Sequence, residues 1–225
     1  MTFIEICQSV YREGGISGNI TSVQNQSGEA LRVVKWSQQA YQEILNDQAL
    51  NWNFQHQSFA EKLVIGQGTY TFAELNLDNG VQWDVNSMRV AVNDNFSDET
   101  FLIGQRFPQF RDYWLFSSRR DTVSRPLNAS VDNQTNLRIA PIPDQEYWLI
   151  GQYLEQAPLL ADDTDIPAII PARFHNIIVW RALRHYGMFE AAPEVVSRAD
   201  HEYKTVLQQL YNDQTYEVIV GEPMC

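Results

Sequence analysis

Helical periodicity at both ends of the chain brackets a long middle stretch of strand character, and that order restricts the fold more than any other feature. From Ile169 to Leu210 two helices are written, parted by a short break around Gly187 to Pro193. The first opens with Pro171, whose fixed φ and missing N–H suit a helix start. The second places Val196, Ala199, Tyr203, Val206 and Leu210 at a 3-4-3-4 spacing, which makes one apolar stripe. At the other end, Thr2 and Glu5 have capping-box spacing for a helix beginning at Phe3. Phe3, Cys7, Val10 and Tyr11 give that helix one apolar side, and Gly14-Gly15 ends it. A second helix is predicted from about Gly28 to Asn46. It carries one row of Leu31, Val34, Tyr41 and Leu45, and beside it a row of Ala30, Val33, Ala40 and Ile44. Two adjacent rows form a broad face suited to packing between neighbours.

Between His56 and Ile150 the pattern changes to strands. Gly66-Gln67-Gly68 separates Phe59–Ile65 from Thr69–Phe72, as expected for a hairpin. Met88, Val90 and Val92 alternate with Arg89, Ala91 and Asn93, the period of a half-buried strand. Pro108 to Ser117 reads as a short inserted helix. Leu137–Ile139 and Tyr147–Tyr153 are further strands around the turn Pro141-Ile142-Pro143-Asp144. Two helices, a β region of about five or six strands and two more helices favour an α+β class. The expected layout is a four-helix body from 1–54 and 160–212, a β-rich insertion over 55–159 and a tail over 213–225.

Charge and composition narrow the function. The 225 residues have a formal net charge of −12, from 28 acidic against 16 basic side chains. A protein that grips nucleic acid needs clustered Lys and Arg, so that class is disfavoured. Cys7 and Cys225 form no Cys-x-x-Cys pair. The start, M-T-F-I-E-I-C, lacks a basic region followed by an apolar run, so no signal peptide is expected. No apolar run approaches the roughly 18 residues of a membrane span.

Candidate chemistry is sparse. Asp162, Asp163 and Asp165 could offer oxygens to a divalent cation. An EF-hand would need Gly and Glu where Pro167 and Arg173 stand, so the set reads as a solvated loop leading into a helix. His56, His175, His185 and His201 include no His-Glu-x-x-His arrangement and read as structural histidines. Neither a Gly-x-Ser-x-Gly elbow nor a phosphate-binding Gly-rich loop occurs, and Cys7 has no basic neighbour to activate it. The expectation is no catalytic residue, no cofactor and no metal. Arg173, Arg181 and Arg184 fall within an arc of roughly 80° on the penultimate helix, opposite Ile178, Val179, Ala182, Leu183 and Tyr186. They face water in a monomer or meet carboxylates of a neighbour in an assembly. Tyr216, Val218 and Val220 alternate with Glu217 and Ile219, a strand-like tail that could add to a sheet edge.

The tract I-P-A-R-F-H (170–175), I-V-W-R-A-L (178–183), A-A-P-E (191–194) and E-Y-K-T-V-L (202–207) resembles the C-terminal helix pair of tailed-bacteriophage head–tail adaptors. These are also called neck or head-completion proteins, and the Trp52-Asn53-Phe54 exit from the second helix is similar to theirs. The resemblance covers most of the chain and is most specific in the last helix pair. It implies a structural virion protein, made in the host cytoplasm, that forms a homo-oligomeric ring of twelve beneath a portal. Such a ring extends the DNA channel, lets genomic DNA pass without sequence-specific binding and offers a platform to a distal neck or tail protein. The rows of the second helix and the last helix pair would supply the contact faces. Arg173, Arg181 and Arg184 would lie at a subunit or portal boundary, and the tail with Tyr216, Val218 and Val220 would dock on the portal. A different reading is a small intracellular hydrolase or ligand-binding domain, with Trp83, Tyr113, Trp114 and Trp148 lining an aromatic cleft.

Overall fold

The computed structural model describes residues 1–46, 52–77, 79–94 and 96–214. Five α-helices occur among them: α1 (Phe3–Gly14), α2 (Gly28–Leu45), α3 (Phe107–Phe110), α4 (Asn176–Phe189) and α5 (Pro193–Gln214). Eight strands accompany them: β1 (His56–Lys62), β2 (Thr69–Tyr70), β3 (Gly80–Ala91), β4 (Thr100–Phe101), β5 (Ile103–Gly104), β6 (Asn128–Val131), β7 (Leu137–Ala140) and β8 (Trp148–Glu155). All strands lie in sequence between the N-terminal and C-terminal helix pairs, an α+β arrangement. The chain divides into a helical unit, Met1–Phe54 with the described residues from Ala157 onward, and a β unit, Gln55–Gln156.

In the helical unit α1 starts on a complete capping box. Thr2 N–H donates to Glu5 Oε2 at 2.8 Å, and Glu5 N–H to Thr2 Oγ1 at 3.4 Å. Its first turn is also satisfied from a distance, because Phe3 and Ile4 N–H donate to the carbonyls of Asp165 and Asp163. Gly15 ends the helix with φ 62°, a left-handed conformation that glycine tolerates. Pro171 precedes a short 3-10 turn, Ala172–Phe174, and α4 proper follows. One apolar core joins all four helices of the unit. It contains Phe3, Ile6 and Val10 of α1, Val33, Ala40 and Ile44 of α2, Ile177, Ile178 and Ala182 of α4, and Ala199, Val206 and Leu210 of α5.

Six of the eight residues in the two rows predicted on α2 are buried within this unit, and Ala30 is partly buried against its core. Leu31 is 41% exposed, and Ser37 takes a place in the buried face instead. At 100° per residue Leu31 sits roughly 110° from the centre of the buried arc, so row membership overstated its burial.

In the β unit two four-stranded sheets have the orders β1-β8-β3-β4 and β2-β7-β6-β5. Every pairing is antiparallel except β5 with β6. Phe59, Met88, Val90 and Leu149 of the first sheet and Tyr70, Ala129, Leu137 and Ile139 of the second belong to one apolar cluster. Trp83 lies in it, stacked on Phe72 at 3.8 Å, with its N–H on Thr135 O at 2.9 Å. That bond holds the β6–β7 turn. The same turn is tied from within by Asp132, which accepts from Gln134 and Asn136 N–H and from Arg138 Nε.

The predicted hairpin of Phe59–Ile65 with Thr69–Phe72 does not form. β1 pairs with β8 and β2 with β7, so the two segments lie in different sheets. Leu63 N–H goes to Tyr147 O and Gly66 N–H to Pro143 O, while Gly68 O accepts from Ile139 N–H. The glycine-containing loop therefore carries the chain from one sheet to the other. Val92 lies past the end of β3 and is 38% exposed, although Met88 and Val90 are buried as expected. Eight strands exceed the five or six expected because β4 and β5 are two residues long and β6 only four, too short to show a period. α3 continues into a π-helical turn over Arg111–Leu115.

Candidate functional site

The arginine row of α4 forms the seam between α4 and the helices beside it. Arg181 Nε donates to Glu43 Oε2 of α2 at 2.6 Å, and His185 Nε2 lies 3.2 Å from the same oxygen. Arg184 Nε meets Asp200 Oδ1 of α5 at 2.9 Å. Arg173, just before α4, donates to Asp213 near the end of α5. Arg181 also lies over the Tyr203 ring at 5.4 Å. Each guanidinium thus has a carboxylate within its own chain, an arrangement the helical wheel of α4 alone could not reveal. The partners Glu43, Asp200 and Asp213 were missed because they belong to other helices. The available signal was the position of Glu43 beside the apolar row Ala40–Ile44 on α2.

These pairs set the charge states. Burial works against the Glu43 carboxylate. Hydrogen bonds from Arg181 and Gln39 and the charges of His185 and Arg181 outweigh it, holding its pKa below the ordinary value. The Arg173 hydrogen bond likewise holds Asp213 low. At neutral pH the seam is a set of formed ion pairs between α4 and its neighbours.

The α4–α5 junction is close and leaves apolar surface outside. Gly187 is buried, and a Cβ there would stand 2.9 Å from Val196 Cγ2 and 3.1 Å from Val196 N. Met188 and Phe189 beyond it are 58% and 52% exposed. A groove of about 690 Å³ runs over this junction, lined by Met188, Ala192, Pro193, Val196, His201 and Lys204 among others. The tail residues Tyr216, Val218 and Val220 lie outside the described residues.

The remaining candidates have structural partners. Asp163 accepts from Val23 N–H, Asp165 from the N–H groups of Ala161 and Asp162, and Asp162 from Gln24. These carboxylates bind the loop to itself and to the segment after α1. Among the described residues no group of three or more His, Cys, Asp or Glu is placed to hold a metal ion. His175 is buried, with Nε2 2.9 Å from Ile170 O and Nδ1 2.9 Å from the Met1 ammonium. Burial, against the pull of the Ile170 hydrogen bond, lowers its pKa and keeps the ring neutral. Cys7 is fully buried beside Ser37, and burial pushes its thiol up to about 12.

The four aromatic residues of the proposed cleft do not line one pocket. Trp83 is in the core of the β unit, and Trp148 packs edge-on to Phe96 with its N–H on Asp94. Tyr113 and Trp114 contact each other in the π-helical turn. Core packing took Trp83, since an indole inside a sheet pair buries more area than one in an open cleft.

No helix among the described residues is long and apolar enough to cross a membrane. No curated protein matches the chain. The SU10 adaptor protein family model matches residues 1–220, a span that includes the helix pair at each end and the whole β unit between them. On that match the chain belongs to the SU10 adaptor proteins, a family of phage head-to-tail adaptors.

Proposed function

We propose that copies of this chain close into a ring, of twelve by the resemblance, beneath a portal in the virion neck. The ring extends the channel through which genomic DNA passes and presents a platform for the distal neck or tail protein. Its work is recognition and sealing rather than bond chemistry. The observation that carries this reading is the extent of the family match, which runs unbroken through both units.

The geometry supports it in one further respect. Contacts that close a ring are heterologous, so each copy needs a face that its own fold leaves uncovered. The rows of α2 are used inside the helical unit, whereas the α4–α5 junction leaves Met188 and Phe189 open beside a groove. That junction is the proposed contact with the next copy. Of the proposed boundary residues Arg173, Arg181 and Arg184, Arg184 reaches the groove through Asp200 of its lining, and Arg181 and Arg173 continue along the helix pair toward its other end. A guanidinium has five N–H donors, so one carboxylate of its own chain leaves donors for a second from a neighbour. The segment 215–225, with Tyr216, Val218 and Val220, is the proposed portal-docking strand.

The test is to incubate the purified chain with purified portal rings and image the product, using the full chain and a form lacking 215–225. A closed ring on the portal with the full chain, and no docking by a folded shortened chain, is the expected outcome. Bare portal after incubation with the full chain would overturn the adaptor-ring reading. A shortened chain that docks normally would remove the tail from it.

A further inference from the structure

The segment from Arg106 to Arg125 has a charge opposite to that of the whole chain. It contains five arginines and two aspartates, while the other residues supply 11 basic against 26 acidic side chains. Arg125 is used internally, on Asp98 and on the Val90 carbonyl, and Arg111 is paired with its neighbour Asp112. Among the described residues, no carboxylate comes within ion-pair distance of Arg106, Arg119 or Arg120, and all three are exposed. The Arg119 guanidinium lies over the Tyr113 ring at 4.2 Å, and Arg111 lies over Phe116 at 5.2 Å. Those rings are 47% and 70% exposed.

A pocket of about 140 Å³ opens beside these arginines. Its lining includes Trp114, Arg119, Arg120 and Thr122, with Gly68 and Ile142 opposite in sequence. The Trp114 indole N–H is cut off from solvent and has no acceptor among the described residues. A buried donor left without a partner is destabilising, so such a group is an observation in need of an explanation. An acceptor that enters the pocket and displaces the groups covering the N–H supplies one. The guanidinium and indole groups here are donors with no accepting capacity, and an anionic oxygen is what such a set can take. The volume is several times the roughly 30 Å³ that a water occupies in the liquid, enough for the end of an acidic side chain.

We propose that this pocket and its aromatic rim are a docking surface for an acidic protein segment, which places a carboxylate against Arg119, Arg120 and the Trp114 N–H. The surface lies wholly within the β unit and does not depend on the ring or on the tail. Two observations favour a protein over nucleic acid. Exposed Tyr113 and Phe116 have no stacking partner in a duplex, whose bases are paired and stacked already. An acidic chain with only this small positive segment is also poorly suited to neutralising a run of phosphates. By contrast, arginine beside Trp, Tyr and Phe is the composition that concentrates binding energy in protein interfaces. Arginine on an aromatic face is already held in place, which lowers the ordering cost of forming a carboxylate pair.

The experiment uses the full chain and a fluorescein-labelled peptide of alternating glutamate and leucine, about ten residues long. A glutamine–leucine peptide of the same length and a short DNA duplex serve as comparison probes. Anisotropy gives the affinities. The indole N–H signal of Trp114, assigned with Trp114→Phe, reports on the pocket in the unmutated chain. The glutamate peptide should bind about tenfold or more tightly than the glutamine peptide, and Arg119→Glu with Arg120→Glu should abolish that preference. Trp114→Phe, which keeps a ring and removes the N–H, should weaken the glutamate peptide by about threefold to tenfold. The indole signal should move as the peptide is added. Equal affinity for the two peptides, a stationary indole signal or tighter binding of the duplex would each overturn the proposal.

Discussion

Glu43 and Arg181 join α2 to α4 through an oxygen that two side chains share. Arg181 Nε is 2.6 Å and His185 Nε2 3.2 Å from Glu43 Oε2, and the Glu43 and Arg181 side chains are 28% and 26% exposed. Such a pair is neither a solvated surface bridge nor a dry one. Removing the carboxylate leaves Arg181 and His185 side by side with no counter-charge. Glu43→Ala is expected to lower stability by about 1–2 kcal/mol, read as a lower urea midpoint at an unchanged slope.

The pH dependence of that loss follows from the direction of the Glu43 shift. Its folded pKa lies below the ordinary 4.5. The carboxylate therefore contributes its full stabilisation above that value and loses it as the pH falls through the folded pKa. Urea midpoints of the parent and Glu43→Ala should differ at pH 7 and converge as the pH is taken from the ordinary 4.5 down through the lowered folded pKa. A difference that stays constant into acid would show that the ion pair is not what Glu43 contributes.

Gly187 sets the distance between α4 and α5. An added Cβ meets the backbone nitrogen of Val196 at 3.1 Å as well as its Cγ2 at 2.9 Å, and backbone cannot step aside as a side-chain end can. Alanine would gain up to about 1 kcal/mol in helix propensity. Overpacking at a rigid crossing costs roughly 1–3 kcal/mol. Gly187→Ala is therefore expected to destabilise the helical unit. Val196→Ala in the same chain should restore only part of the loss, since it removes the Cγ2 clash and leaves the backbone one. Thermal unfolding of the two variants checks both statements.

The helix ends and stripes of this chain were legible because their signals are local. Thr2 with Glu5, Gly15, and the series Val196 to Leu210 each act within a few residues of themselves; the caps stand as their spacing predicts, and of the series Ala199, Val206 and Leu210 are buried while Val196 and Tyr203 are half-buried. The pairing of β1 and β2 was not legible, because it is decided by β7 and β8 arriving far later in the chain. The loop at Gly66 to Gly68 fits a hairpin and a sheet-to-sheet crossing equally well from its own composition. The intrachain partners of the α4 arginine row were hidden for a related reason. Its periodicity was read correctly, but a wheel shows only one helix, and Glu43, Asp200 and Asp213 lie on others. Trp114 could be recognised as an aromatic candidate, while its unpartnered N–H is a property of the packed chain.

Tyr70 is the post around which the sheet-to-sheet loop is wound. Its hydroxyl accepts from Val64 N–H at 3.0 Å and has the carbonyls of Gln67 and Val64 at 2.9 and 3.1 Å as acceptors. Tyr70→Phe fills the same space but leaves the part-buried Val64 N–H and Gln67 carbonyl without this partner, at a cost of about 1–2 kcal/mol. Burial is the main reason its pKa rises from 10.0 to about 12, against a hydrogen bond with Val64 that opposes the rise. A raised folded pKa means that the contribution is complete below pH 10 and fades as the pH climbs toward 12. The stability gap between the parent and Tyr70→Phe, followed by urea unfolding from pH 8 to 11.5, should be level at first and narrow above about pH 10.

Cys7 provides a direct readout of whether α1, α2 and the acidic loop stay closed. Burial raises its pKa from 9.0 to about 12, the neighbouring Ser37 side chain partly opposes the rise, and the Asp163 charge adds to it. Only the thiolate attacks a disulfide reagent. Three pH units correspond to a roughly thousandfold smaller thiolate fraction near neutrality, before any loss of access is counted. In a Cys225→Ser background the native chain should therefore release almost no thionitrobenzoate from Ellman's reagent at pH 8. One equivalent should appear in denaturant, with native labelling limited by opening of the helical unit. Glu43→Ala and Gly187→Ala loosen the same unit and should speed that slow labelling roughly in proportion to their loss of stability. Fast labelling of Cys7 in the native parent would mean that α1 does not stay packed against α2, and the core joining the four helices would have to be redrawn.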